Sequence, residues 1–395
     1  MDRDISLAGP APPENNASSV ADTAACGVDY PILDSQRTTL GAGARQATSM
    51  RRTLEARISR RRALELAGAG AAALAAQRMI PLATAQERGR IDVHHHWHPP
   101  VIRSAFEGVN IGSSWPGGEW SVATALSLMN RFDIRTGLLS VRNPRARVTV
   151  DQCRAINESA AEIVADHPTR FGALTYLPQY DVDAATEEAV HALDVLGLDG
   201  ISLNPSIDNV YLGAPEYEPL MAELGRRRAV VLLHPTAPPF FDELGLSIRS
   251  SVIEYVFETT RAIANLILSG TIERHPQIRW ITAHAGGAAP YIAARLAEQG
   301  ERFDPAVLER APDGVIAYMK TLYYGTAQAT SLATLRALTE LVDPSRIVFG
   351  TDLPISPPSL IEDSDNILNA FDGFTAQDLE TIQSGNARAL FPRLS

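Results

Sequence analysis

The chain has 395 residues, of which 45% are hydrophobic and 21% charged, and its formal net charge is -11 at pH 7. This composition is typical of a folded globular protein. The acidic balance, with no basic cluster in the body of the chain, argues against a nucleic-acid partner and against an anionic membrane surface. Cys26 and Cys153 cannot form a disulfide framework for a chain of this length, and their spacing matches no metal motif.

The first 85 residues have the composition of segments that precede a folded domain. Residues 1–49 are rich in Ala, Ser, Gly, Pro and Asp without a hydrophobic period, which predicts a disordered or untranslated extension. Residues 50–85 run from a basic stretch with Arg60 and Arg61, through a small-residue apolar run, to Ala83-Thr84-Ala85, an A-x-A cleavage signal. This order resembles a twin-arginine export signal and predicts export to the periplasm. A short Ala-rich helix of a cytoplasmic protein is the alternative, and the apolar run is too short for stable membrane insertion.

Short apolar segments bounded by turns predict eight strands, at 90–97, 137–142, 171–178, 200–205, 229–236, 279–286, 322–327 and 347–354. Helix-period segments separate several of them, at 153–167, 184–196, 216–227, 259–274 and 332–342. Apolar strands that alternate with helices are typical of parallel strands buried on both faces. Residues 86–395 are therefore predicted to form an α/β fold, a single (β/α)8 TIM barrel. A doubly wound open sheet is the competing architecture, but no Gly-x-Gly-x-x-Gly motif follows any strand.

Polar side chains occur where several of these strands end. His94 and His96 are expected to share one face of the first strand, with Asp92 below them, because side chains alternate along a strand. Three further polar residues end apolar strands: His234, His284 and Asp352. Catalytic residues of such barrels lie at the carboxyl ends of the strands, and imidazole is a common ligand of divalent metals. The pattern predicts a metal site at this end of the barrel.

The motifs at these strand ends resemble those of the amidohydrolase superfamily, and of its branch that contains aminocarboxymuconate-semialdehyde decarboxylase and aromatic-acid decarboxylases. The similarity covers about residues 90–393. Its motifs are Ile91-Asp92-Val93-His94-His95-His96, His234 after the fifth strand, His284-Ala285-Gly286-Gly287 and Gly350-Thr351-Asp352-Leu353-Pro354. Within the branch, segment 257–264 is most similar to 6-methylsalicylate decarboxylases.

The resemblance implies one divalent cation and a set of residues that bind it. The implied ligands are His94, His96, His234 and Asp352, and the implied catalytic residues are His284 and Asp352. A second cation is not expected, because the fourth strand carries no lysine for the bridge found in binuclear members, and Lys320 is the only lysine of the chain. Zn²⁺ is the expected ion and Mn²⁺ the alternative, since geometry selects the metal more than affinity does.

A dication held by three imidazoles and one carboxylate has a net charge of about +1, which favours a small-molecule carboxylate as substrate. The resemblance implies a metal-dependent, non-oxidative decarboxylase, a carboxy-lyase that acts on an ortho-hydroxybenzoic, 6-methylsalicylate-like acid or a related unsaturated acid. The alternative is hydrolysis of a lactone, ester or amide by a metal-activated water. In either reaction Asp352 or His284 would move the proton.

Candidate substrate contacts lie near the same strand ends. They are Trp120 in the long connection after the first strand, Arg142 at the end of the second strand and Asn204 at the end of the fourth. Other histidines are expected to pack or to be solvated: His95, His98, His167, His191 and His275. The resemblance also makes a homodimer a possible assembly.

Overall fold

The computed structural model of the chain describes residues 89–101, 120–141 and 147–395. The expected extension at 1–49, the signal-like segment at 50–85 and Arg142 lie outside the described residues.

Eight parallel strands form the barrel that the sequence predicts, and their spatial order follows the chain. The strands and one inserted hairpin are β1 (Arg90–Trp97), β2 (Ile134–Val141), β3 (Phe171–Tyr176), β4 (Gly200–Leu203), the hairpin β5 (Ser206–Ile207) and β6 (Val210–Tyr211), β7 (Val230–Leu233), β8 (Arg279–Thr282), β9 (Tyr323–Gly325) and β10 (Ile347–Val348). Backbone hydrogen bonds close the barrel between β1 and the segment after β10, from Asp352 N to His94 O at 2.9 Å and from His96 N to Leu353 O at 2.6 Å. The TIM barrel is thereby confirmed, and the β5–β6 hairpin is an addition to the predicted strands.

Helices surround the strands on the outside of the barrel. They are α1 (Val122–Arg131), α2 (Val150–Asp166), α3 (Val182–Asp194), α4 (Glu218–Arg226), α5 (Ser250–Leu268), α6 (Thr271–Arg274), α7 (Ala289–Phe303), α8 (Val307–Arg310), α9 (Val315–Met319), α10 (Leu332–Leu341), α11 (Pro358–Ala370), α12 (Ala376–Glu380) and α13 (Asn386–Leu390). Side-chain caps fix the start of several, as where the hydroxyl of Thr149 accepts from Gln152 N at the start of α2. In the part of the chain that the structure describes, no helix has the length and apolar character needed to cross a bilayer.

Two expectations about this region were wrong. The helix predicted at 259–274 is two helices, because Gly270 takes a φ of 77° that interrupts the α-helical backbone between α5 and α6. His275 is not solvated: its side chain is only 12% exposed and its Nε2 lies 2.7 Å from Glu218 Oε1. Helical periodicity predicts which face of a helix is apolar, but it does not show where the backbone breaks or which distant acid meets a histidine.

A bulge in β1 decides where its histidines point. The pairing of β1 with β2 shifts between Asp92 and His95, so that Asp92 faces Gly137 and His95 faces Leu139 across the strands. A bulge of this kind changes the alternation of side chains. Asp92 consequently contacts His95, with 3.2 Å between its Oδ2 and His95 Nδ1. The expectation that Asp92 lies below His94 and His96 on their face is therefore wrong.

Helix α5 packs closely against the turn that follows β8. All four residues of this turn, from His284 to Gly287, have positive φ angles. A Cβ atom on Gly287 would lie 2.1 Å from the carbonyl oxygen of Val256 and 2.8 Å from Thr260 Oγ1. The same hydroxyl accepts a hydrogen bond from Ala288 N at 2.9 Å. The glycine thus lets the turn approach the helix, and Thr260 fastens it there.

Gly287→Ala should destabilise the protein much more than Gly197→Ala, although both glycines have φ near 69°. At Gly197 nothing lies within 4 Å of an added Cβ, so the change should cost only the left-handed backbone, about 1–2 kcal/mol. At Gly287 the clash with α5 should add about 1–3 kcal/mol, and the backbone, with φ 68° and ψ -129°, is in addition a conformation that favours glycine. Urea unfolding of both variants and the wild type measures the difference. Equal losses of unfolding free energy would show that the turn is not pressed against the helix.

Candidate metal centre

Four buried side chains meet at the carboxyl end of the barrel. His94 and His96 come from β1, His234 follows β7 and Asp352 follows β10, and their ligand atoms all lie within 4.8 Å of one another. The Nε2 atoms of His94 and His96 are 3.1 Å apart. Asp352 Oδ1 is 2.9 Å from His96 Nε2 and 3.4 Å from His94 Nε2. Nitrogen and oxygen ligands at about 2.0–2.2 Å from one cation are separated by comparable distances, so these residues fit a single divalent ion.

The protonation of the cluster suits a dication. The Nδ1 of His96 lies 3.2 Å from the carbonyl oxygen of Ser140, which as an acceptor holds the proton on Nδ1 and leaves the lone pair on Nε2. Burial lowers the pKa of His96 although Asp352 opposes the shift, and burial beside the other imidazoles lowers the pKa of His234 well below its usual value. Burial raises the pKa of Asp352, but the neighbouring imidazoles of His94 and His96 outweigh this and hold the pKa well below its usual value. Neutral imidazoles and an ionised carboxylate are the forms that bind a metal.

Asp92 ties together the two chain segments that carry three of these ligands. It is fully buried, and its Oδ1 accepts hydrogen bonds from His94 N at 3.1 Å and from Thr351 N at 3.0 Å. Thr351 directly precedes Asp352 and also donates its hydroxyl to Asp92 Oδ2. Asp92 therefore sets the distance between the β1 imidazoles and the carboxylate.

His284 lies beside the cluster. Its ring centroid is 5.1 Å from that of His94, and its Nδ1 is 2.8 Å from the carbonyl oxygen of Ala327. That carbonyl accepts the Nδ1 proton of the neutral ring, which leaves Nε2 as the basic atom. Burial lowers the pKa of His284 to about 4. His284 and Asp352 both have positive φ, of 52° and 60°, a strained conformation that is enriched at functional sites.

A cavity of about 260 Å³ opens at the ends of the neighbouring strands β3, β4 and β7. It reaches Thr236, two residues beyond His234, and its lining includes Tyr176, Gln179, Asn204, Ser206 and Arg147. Of the predicted substrate contacts, Asn204 lines this cavity and Arg142 lies outside the described residues. Trp120 packs edge-on against Trp97, with 5.7 Å between ring centroids, and is not part of the described lining.

Two networks fix the walls of this cavity. Gln179 pairs with the backbone of Asn204, accepting from its N at 2.7 Å and donating to its O at 3.2 Å, and also accepts from its Nδ2 at 3.0 Å. The hairpin β5–β6 is held by buried Glu258 of α5, which accepts from Ser206 Oγ at 2.6 Å and from Tyr211 OH at 2.7 Å. Gln179 is a further cavity residue that was not predicted from the sequence, although its place directly after the predicted strand 171–178 was a usable signal.

Zn²⁺ or Mn²⁺ added to the metal-free protein should raise its melting temperature, because a ligand that binds only the folded state stabilises it by about 2.7 kcal/mol at one hundred times its Kd. His94→Ala should abolish the shift, since it removes one of the converging nitrogens. His167→Ala, at the end of α2, is the matched control and should keep it. A wild-type melting temperature that no divalent cation changes would contradict a metal site.

The metal-free protein should lose stability as the pH falls below 6.5. The pKa of His284 is about 4 in the fold against 6.5 ordinarily, so the unfolded chain binds more protons between these values. The unfolding free energy should fall there by up to about 1.4 kcal/mol per pH unit for this one group. His284→Asn should make the fall shallower, which urea unfolding at pH 7, 6 and 5 with a chelator measures. Parallel pH profiles for variant and wild type would refute the buried neutral histidine.

Comparisons with known proteins agree with this geometry. A family model described as amidohydrolase matches residues 91–393. The chain is 31% identical over 315 residues to 6-methylsalicylic acid decarboxylase of Penicillium expansum, covering 77% of this chain and 97% of that protein. It is 25% identical over 328 residues to gamma-resorcylate decarboxylase of Rhizobium radiobacter, covering 77% and 98%. The crystal structure of 2,6-dihydroxybenzoate decarboxylase complexed with 2,6-dihydroxybenzoate superposes with a TM-score of 0.68 at 25% identity, covering 77% of this chain and 99% of that one. The chain belongs to the amidohydrolase family.

Proposed function

We propose that the protein is a metal-dependent, non-oxidative decarboxylase of an ortho-hydroxybenzoic acid of the 6-methylsalicylate type. The observation that carries the proposal is the single-cation cluster of three imidazoles and one carboxylate at the carboxyl end of the barrel. A cavity at the ends of β3, β4 and β7 reaches Thr236, two residues beyond the ligand His234. The names of the similar proteins describe decarboxylases of 6-methylsalicylic acid and gamma-resorcylate, both aromatic hydroxy acids. This likeness favours decarboxylation over the hydrolysis that the same residues would also support.

The cluster would hold one divalent cation, which supplies the positive charge that attracts and polarises a carboxylate. Three imidazoles and one carboxylate are a ligand set that zinc accepts, so Zn²⁺ is the proposed ion and Mn²⁺ the alternative. Elemental analysis of the purified protein distinguishes the two ions.

Asn204 is the proposed contact for the substrate's hydroxyl group. Its Nδ2 donates to Gln179, and Gln179 is itself held by the backbone of Asn204, so the amide has one fixed orientation. The Oδ1 of Asn204, which can only accept, and the second hydrogen of its Nδ2 are then left for a ligand in the cavity. A phenolic hydroxyl beside the carboxylate can donate to that oxygen, which an ether or a halide at the same position cannot do.

His284 is the proposed carrier of the proton that replaces the carboxylate on the ring. Asp352 is less suited to this task, because its Oδ1 faces the imidazoles and its Oδ2 accepts from Gln328 Nε2. His284 keeps Nε2 as a base while Ala327 holds its Nδ1 proton. It takes up a proton at Nε2 and delivers it to the ring carbon, and the electron pair of the broken carbon–carbon bond stays with the ring as carbon dioxide leaves.

The metal-loaded protein should convert 6-methylsalicylate or a related ortho-hydroxybenzoate to the phenol, with one carbon dioxide released per ring. His284→Gln should lower kcat by about 10²–10⁴-fold, the usual contribution of a positioned acid or base, while metal content stays at the wild-type level. Ring absorbance and released carbon dioxide are measured together.

Benzoate without the ortho hydroxyl is the substrate control and should react poorly. Turnover of lactones or esters, and of no hydroxybenzoate in the panel, would reject decarboxylation. A loss of less than tenfold in metal-loaded His284→Gln would instead assign the proton transfer to Asp352.

A further inference from the structure

The turn after β9 lies between His284 and Asp352 and contacts both. Thr326 anchors this turn to the neighbouring chain segment, accepting a hydrogen bond from Gly350 N at 3.0 Å. The carbonyl oxygen of the next residue, Ala327, accepts from His284 Nδ1 at 2.8 Å. The residue after that, Gln328, donates its Nε2 to Asp352 Oδ2. Three consecutive residues thus fix one end of the turn and two side chains of the site.

The two oxygens of Asp352 face different partners. Oδ1 points to the imidazoles, at 2.9 Å from His96 Nε2, while Oδ2 is bound by Gln328. Gln328 Nε2 also donates to Ser356 Oγ at 3.1 Å, and Ser356 N donates to the carbonyl oxygen of Asp352 at 2.8 Å. The amide is therefore held on both sides, and Gln328 itself has a positive φ of 51°.

We propose that Gln328 is a positioning residue for the metal centre: it occupies Oδ2 of Asp352 and so commits this carboxylate to binding the cation through Oδ1 alone. The proposal rests on the metal-dependent function proposed above. A carboxylate with both oxygens available can rotate or bind in two modes, and a fixed donor on one oxygen removes that freedom. Partners of this kind are worth about 10–100-fold in metal affinity.

If Gln328 only filled space, a side chain of similar size in its place would leave the affinity for the metal unchanged. Gln328 and Ser356 also line a cavity of about 10 Å³, roughly the space that one water molecule needs. Truncation to Ala would enlarge this cavity, so a water could take over the hydrogen bond to Asp352. Gln328→Met is the sharper variant, because methionine keeps the length of the side chain and removes the donor.

The experiment compares wild type, Gln328→Met and Gln328→Leu with Gln377→Met, a change on the exposed face of α12. Metal-stripped proteins are titrated with Mn²⁺ and Zn²⁺ by calorimetry, and the visible absorption of the Co²⁺-loaded forms reports the ligand geometry. Both Gln328 variants should bind 10–100-fold more weakly and show an altered cobalt spectrum. Their metal-free melting temperatures should fall, because the buried carboxylate of Asp352 loses a donor, so all titrations are run at a temperature at which every variant is folded. Gln377→Met should match the wild type throughout.

Kd values within twofold of the wild type and an unchanged cobalt spectrum in either folded Gln328 variant would overturn the positioning role. That result would leave the proposed decarboxylase intact, because the wild type would still bind metal and turn over its substrate. A wild type that binds none of the three cations would instead overturn both proposals. If Gln328→Met does not fold, Gln328→Leu decides between these outcomes.

Discussion

The metal-binding cluster depends on the buried carboxylate of Asp92, which joins β1 to the segment after β10 where the barrel closes. Burial of a carboxylate costs free energy because it loses its hydration, and here hydrogen-bond donors from His94, His95 and Thr351 offset this cost. Because these donors come from both sides of the seam, closure of the barrel and placement of the ligands are one event. The β1 imidazoles and Asp352 reach their positions only when the last strand has paired with the first.

The site also stores backbone strain that the barrel must support. His284 and Asp352 have positive φ angles. Such a backbone conformation costs a residue other than glycine about 1–3 kcal/mol. Both are held by partners outside their own segments, His284 by the carbonyl of Ala327 and Asp352 by Gln328. These geometries turn the side chains inward at the strand ends. A flexible loop could not hold an imidazole and a carboxylate this close without such support.

The sequence predicts the parts of this site that depend on local patterns. Apolar runs separated by helical periods predict the barrel, and the strand-end rule brings His234 and Asp352 to the histidines of β1. The bulge in β1 cannot be predicted from these patterns, because it depends on how β1 pairs with β2 and is not visible in the alternation of residues along one strand. The same holds for Gln328, since its partner Asp352 is 24 residues away and no spacing rule links an amide to a carboxylate across two strands.

The metal-binding cluster and the cavity proposed to bind the substrate are supported by separate networks in this barrel. Asp92 and Gln328 fix the cluster from the β1 and β9 sides, whereas Gln179 and Glu258 fix the cavity wall at β3, β4 and the hairpin. The network at the metal-binding cluster and the network at the cavity wall share no hydrogen-bonded residue among those described. The free-energy effects of a substitution in one should therefore add to those of a substitution in the other. If the cavity binds the acid as proposed, substitutions in its wall should alter which acid is bound and leave the affinity for the cation unchanged. Such a division fits a fold in which chemistry resides at fixed strand ends and specificity in the attached loops.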